Sequence, residues 1–432
     1  MGEFWAGFAE VDYTPAPGLA LRGQQYTRIA GLARDPLMAN AMALRSGEET
    51  VVMVSVDICF IPLEIVAEAQ RRFAERTGLS GERLLIHATH SHVAPCTISY
   101  YWGDADPAFI EKLTQDIVTA AENAVSHQEP VSMFSGAGQL DYLGWNRRVM
   151  FADGSSVMHG NTSRPDFIGI EGPRDPVLSV LFARDAQGKI RGVVVSFSTH
   201  PNCVEDKCYY SADLPGEVRR LLKMMLGNDV VVVYLTSASG NTTPVIREPH
   251  TPVQPWMDEE GLLRSGLLMA GEAAKVIAAA IDPIADPELR VAKRVLRIPI
   301  RPFPKKGERC YPDFWSDESR KYYEGMEADW PRKMQEKSPV EVRVNAIRIG
   351  DTVICANPCE LFVEFGLMIK EASPARVTVL SQLTDGYVGY VPTPLSFSRG
   401  GYETWPCGTS QLVPEAGGEI VAATREMLGE VF

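Results

Sequence analysis

Histidine is scarce in this sequence, with seven residues among 432. Cysteine is scarce too: eight residues, none in a C-x-x-C pair. The closest pairs, Cys203/Cys208 and Cys355/Cys359, fit poorly to the ligand spacing of a structural zinc site. Free thiols are expected rather than disulfides. Positive charge is in deficit, since 42 Lys and Arg face 55 Asp and Glu, for a formal net charge of −13. That balance argues against a nucleic-acid partner and against anionic membrane surfaces. No stretch approaches the roughly 18 apolar residues of a spanning helix. The opening "MGEFWAGFAEVDYTP" lacks a basic region followed by an apolar run, and it does not complete a myristoylation pattern. The expected location is therefore the cytoplasm. Low-complexity tracts, internal repeats and Pro/Gly/Ser linkers are missing as well, which predicts one domain over 1–432.

What is present is a folded composition, 45% apolar and 22% charged. Short β-branched runs recur and end in polar or small residues. "TVVMVSVD" stops at Asp57, "RLLIHATHSH" in histidines, "GVVVSFSTHP" at His200 and "VVVVYLTSASGN" in a turn. "TVICANPCE" stops at Glu360 and "RVTVLSQLTDGY" at Tyr387. Between them lie amphipathic stretches of helical period, such as "PLEIVAEAQRRFAERTG" and "EEGLLRSGLLMAGEAAKVIAAAI". The alternation predicts an α/β fold with mixed sheets flanked by helices. Ligand sites in such folds gather at the C-terminal ends of strands, so six polar strand ends form one candidate site. Residues 301–340, charged, aromatic and bounded by proline, break the pattern. They read either as a lid-like insertion or as a solvated helix.

Three of the seven histidines, His87, His90 and His92, fall within "IHATHSHVAP". On an extended strand His90 and His92 would share a face and His87 the opposite one. The residues are compatible with a metal site, an acid/base pair or a polar strand end. His200 and Glu360, ending two other strands, add the imidazole and carboxylate that a catalytic zinc site uses. His127, His159 and His250 sit in loop-like contexts.

Further short motifs accompany this cluster: "GFAEVDYTPAPG", "WNRR", "FSTHPNCV" with "YSADLPGEV", "SGNTTPV", "NPCELFVEFG", "DGYVGYVPT" and "GGYE". In this order, and with "ATHSHVAP", they resemble the neutral/alkaline ceramidase family along nearly the whole chain. The resemblance implies a ceramidase-like catalytic domain and one zinc ion held by His90, His200, Glu360 and Tyr390. It places His92 beside the metal as a non-ligand, with Tyr387 and Arg147 in the pocket and Asn241 and Thr243 at the substrate. It implies hydrolysis of an amide (N-acyl) bond in a small or lipid-like substrate by a metal-activated water. In that scheme Tyr387, Arg147 or Thr243 would stabilise the oxyanion. Asp57 and Asp213 would either orient the histidines or serve ordinary strand-end bonding.

The chain departs from the family at three points. Thr243 stands for the family's serine and Asn241 for the preceding aspartate. The sequence has no room for the family's C-terminal immunoglobulin-like domain, and it shows no leader. These departures favour a smaller soluble substrate over a membrane sphingolipid. They also keep esterase, lactonase, sugar isomerase or lyase chemistry, or an inactive metal-binding homologue, as alternatives.

Overall fold

The computed structural model describes residues 3–245, 256–313 and 316–432. His250 lies outside the described residues. The same connection occurs three times. Strand Glu49–Val56 passes through helix Leu63–Thr77 to a parallel neighbour, Leu84–Ala88. Strand Ile190–Phe197 passes through helix Asp213–Leu226 to parallel Val231–Thr236. Strand Thr352–Ala356 passes through helix Val363–Ala372 to parallel Val377–Ser381. Antiparallel strands extend each pair into a sheet of four or five.

The helix boundaries carry ordinary stop and start signals. Gly78 ends Leu63–Thr77 in a left-handed conformation, φ 74°. Asp106 caps helix Pro107–Ser126, with proline at its first position and the aspartate side chain accepting from Phe109 N–H.

The parallel strands are buried along their whole length apart from isolated end positions, which explains their unbroken Val/Ile/Leu runs. One apolar core joins all three sheets, through Met53, Leu85, Val194, Val233, Ile347 and Val379 among others. Serines bridge the sheets where they touch. Ser55 donates to Tyr234 O at 2.6 Å and Ser196 to Leu380 O at 2.7 Å. Facing sheets thereby satisfy polar groups that burial would otherwise leave unpaired. The C-terminal ends of the three parallel pairs supply the candidate site residues, as expected for α/β sheets.

Two strand boundaries differ from the sequence reading. Strand Leu84–Ala88 stops before the histidines, and His90 takes a left-handed turn, φ 77°. Alternation along an extended strand therefore does not govern His90 and His92. Glu360 lies within a separate short strand, Cys359–Leu361, rather than at the end of Thr352–Ala356. That strand pairs in parallel with Gly389–Val391, setting Glu360 directly opposite Tyr390. All eight cysteines are free.

The 301–340 segment forms helix Asp317–Lys337, closed by a Ser316/Ser319 capping box. It is anchored rather than merely solvated. Trp330 is buried and donates its indole N–H to Arg301 O at 2.8 Å, and Tyr323 is buried against Trp405.

Candidate metal centre

His90 Nδ1 lies 2.7 Å from the carbonyl oxygen of Cys59, and His200 Nδ1 lies 2.7 Å from that of Ser239. A carbonyl only accepts, so each Nδ1 carries a proton and each Nε2 is the ring atom turned toward a common centre. These two Nε2 atoms are 3.1 Å apart. Glu360 Oε2 lies 3.2 Å from one and 3.4 Å from the other, yet is a buried atom without a hydrogen-bond partner. Its other oxygen, Oε1, accepts from Tyr387 OH at 2.6 Å. Three potential ligand atoms thus converge within 4.8 Å of one another.

Such an arrangement calls for positive charge at its centre. Burial opposes charging His90, but the Glu360 carboxylate outweighs it and pushes the imidazole well above its ordinary range. Burial, with Arg147 nearby, pushes His200 well below. Burial would raise Glu360, but the two imidazoles hold it far down. A divalent cation would supply that charge, and the donor set of two imidazole nitrogens and one carboxylate is of the kind that holds zinc.

His92 stands next to this set. Its Nε2 is 3.3 Å from His90 Nε2, and its Nδ1 lies 3.0 Å from Glu205 Oε2. Glu205 is the functional neighbour that the sequence reading missed. Its only signal there is an acid five residues after His200. Gly23 packs directly on His92 with φ 116°, and a Cβ at this position would sit 2.5 Å from His92 Cβ. Gly23→Ala is expected to shift His92 and lower kcat/KM by roughly 10²-fold while metal content stays stoichiometric. Kinetics paired with metal analysis checks this, and wild-type turnover would show that His92 need not hold its present position.

Tyr390 stacks along His200 with ring centroids 6.4 Å apart. Its hydroxyl accepts from Arg147 Nη2 at 3.1 Å. Burial, reinforced by Glu360, raises both Tyr387 and Tyr390 well above the usual phenol range. Arg147 also donates to Gly240 O and Glu403 Oε1, and Glu403 Oε2 accepts from Arg148 Nη1 at 2.7 Å. This Arg–Glu–Arg group is buried throughout. Glu403→Gln is expected to cost about 3–5 kcal/mol, because it leaves the buried Arg147 without a carboxylate and Arg148 with Glu171 alone. Denaturant unfolding checks it, and a loss below about 1 kcal/mol would contradict the argument.

One cavity of about 790 Å³ is lined by His90, His92, Glu360, Tyr387, Tyr390 and Arg147. Tyr311 and Tyr322 bring the 301–340 segment to its wall, and His159 lines it as well. Asn241 and Thr243 are not among the lining residues. The Asn241 amide donates to Glu364 and accepts from Val363 N–H, while its backbone carbonyl accepts from Arg147 N–H. Thr243 is buried and pairs with Trp145.

His87 is a core residue. Its Nδ1 donates to Gln382 O, its Nε2 accepts from Thr236 N–H, and burial pushes it down to about 3. Neither Asp57 nor Asp213 orients an imidazole. Asp57 binds Met38 N–H and Arg219, and Asp213 caps the turn at Cys203–Val204. Backbone carbonyls do that work instead. Gln382 ties the Ser239 turn to the Glu360 strand, accepting from Ser239 N–H and Leu361 N–H at one amide oxygen. His127 closes the C-terminus of helix Pro107–Ser126.

A crystal structure of neutral ceramidase from Pseudomonas aeruginosa superposes with a TM-score of 0.78, over 99% of this chain and 74% of that one, at 19% identity. The chain has the fold of neutral ceramidase. A second structure, a ceramidase complexed with C2, matches at 0.77 over 99% of this chain and 75% of the other, again at 19% identity. In sequence, 161 residues are 29% identical to the neutral ceramidase of Pseudomonas aeruginosa. That stretch is 35% of this chain and spans 22% of the relative's length. No family model matches the chain.

Proposed function

We propose that the protein is a zinc-dependent hydrolase that cleaves the amide bond of an N-acyl substrate. The observation that carries this reading is the convergence of His90 Nε2, His200 Nε2 and Glu360 Oε2 on one point, beside a cavity able to hold a small molecule. Kinship with neutral ceramidase supplies the reaction class. His90, His200 and Glu360 would hold the metal, with Tyr390 opposite Glu360 completing the set. A bound zinc ion polarises a carbonyl and acidifies water.

The chain's own residues supply the rest. Tyr387 fixes Glu360 by donating to Oε1, which leaves Oε2 aimed at the other two ligand atoms. His92, donating its Nδ1–H to the Glu205 carboxylate, presents its Nε2 at the cavity. That atom can take the proton lost by the attacking water and return it to the leaving amine, while Glu205 balances the imidazolium. Arg147 holds the Tyr390 hydroxyl in place.

Assaying the purified protein against N-acyl amides of graded chain length, before and after chelation, tests the reading. Activity that needs about one equivalent of zinc supports it. Full activity in metal-free protein would refute it.

A further inference from the structure

Arg22 is a cation without a counter-ion among the described residues. It lines the same cavity as the candidate metal ligands, yet none of its side-chain donors meets a hydrogen-bond or ion-pair partner among the described residues. Its Nη1 is buried and unpartnered. The guanidinium carbon lies 3.8 Å from the Tyr100 ring centroid and 5.0 Å from that of Phe60. The rings hold the group in place but leave its edge donors unspent. A second donor at the same end is also idle: Trp102 lines the cavity, packs 5.9 Å from the Tyr100 ring, and its Nε1 is buried without a partner. Buried donors without partners are rare and costly, and two idle donors on the wall of one cavity mark a place where a ligand completes the bonding.

The distance to the chemistry is short. Phe60, beneath Arg22, stacks at 4.0 Å on Tyr387, whose hydroxyl binds Glu360. Glu205, Glu360 and Asp313 line the same cavity, which disfavours a dianion such as a phosphate monoester. A single carboxylate matches the planar fork of one guanidinium.

Building on the hydrolase reading above, we infer that the substrate carries a carboxylate, bound by Arg22, so that the preferred amides are N-acyl amino acids rather than neutral N-acyl amines.

The test compares N-hexanoylglycine with N-hexanoylglycinamide, which differ only in that carboxylate, on the zinc-loaded protein. The wild type is expected to favour the acid at least tenfold in kcat/KM. Arg22→Gln should cut kcat/KM for the acid by about 10–100-fold and for the amide by less than about threefold. Arg22→Lys, which keeps charge but loses the fork, should retain part of the preference and guards against a folding defect. Equal rates for the two compounds in the wild type, or equal losses for both in Arg22→Gln, would overturn the inference and leave the hydrolase reading standing. Calorimetry separates the other failure. If neither compound is cleaved but the acid binds in an Arg22-dependent way, the carboxylate site stands and the hydrolase reading falls. If neither is cleaved and neither binds preferentially, the carboxylate site is refuted.

Discussion

Glu360→Gln is expected to fold, to lose stoichiometric zinc and to lose roughly 10³-fold or more in kcat/KM. The substitution keeps the shape of the side chain and removes only its charge. In the wild type, two imidazole nitrogens and one carboxylate oxygen face a common point, and the carboxylate is the sole anion among them. Without it, a divalent cation would face neutral ligands and gain too little to repay its lost water. Because metal chemistry supplies several kcal/mol of transition-state stabilisation, its loss corresponds to a factor of that size. Metal analysis and turnover measure both effects. A thermal scan adds an independent one. Zinc should raise the wild-type melting temperature by mass action, by about 2.7 kcal/mol of stability at one hundred times its dissociation constant, and should leave Glu360→Gln unmoved. A variant that still retains one equivalent of zinc would show the ion to be bound elsewhere.

His92→Ala is expected to behave in the opposite way, keeping its zinc and losing about 10²–10⁴-fold in kcat. The Nδ1 of His92 is committed to Glu205 rather than to a backbone carbonyl, and its Nε2 stands beside the ligand set. A carboxylate partner suits an imidazole that must carry charge transiently, since it stabilises the imidazolium. His90→Ala, run in parallel, should release the metal. The pair of variants separates two residues only two positions apart, and loss of zinc from both would return His92 to the ligand shell.

Much of the fold was legible because burial on both faces of a parallel strand demands an unbroken apolar run. The strands at 49–56, 190–197, 231–236 and 377–381 announce themselves in this way. That polar residues beyond those runs gather at one place also follows from strand direction. The turn at His90 was not legible, because a left-handed conformation in a non-glycine residue leaves no mark on composition or period. Nor was the strand Cys359–Leu361, three residues long and set in register by its partner alone. The family resemblance named Tyr390, yet only the parallel ladder shows why it stands opposite Glu360. Asp57 follows a strand end and Asp213 opens helix Asp213–Leu226, and neither position tells from sequence what the carboxylate binds. Their oxygens are taken up by backbone N–H groups and, for Asp57, by Arg219. Arg22 sits in "LRGQQY", a stretch without a motif. Its significance is entirely one of missing partners, which a sequence cannot display.

The carbonyls of Cys59 and Ser239 aim the imidazoles of His90 and His200, the two candidate ligands, and this has a bearing on how such a site diverges. A main-chain oxygen survives every point substitution at its own position. The aim of His90 and His200 is thus inherited with the path of the chain rather than with the identity of any neighbouring side chain. Mutation can rewrite the cavity wall, from Arg22 to the tyrosines of the 301–340 segment, and the metal-holding geometry is passed on unaltered. New substrates can then be tried against an old centre without first rebuilding it.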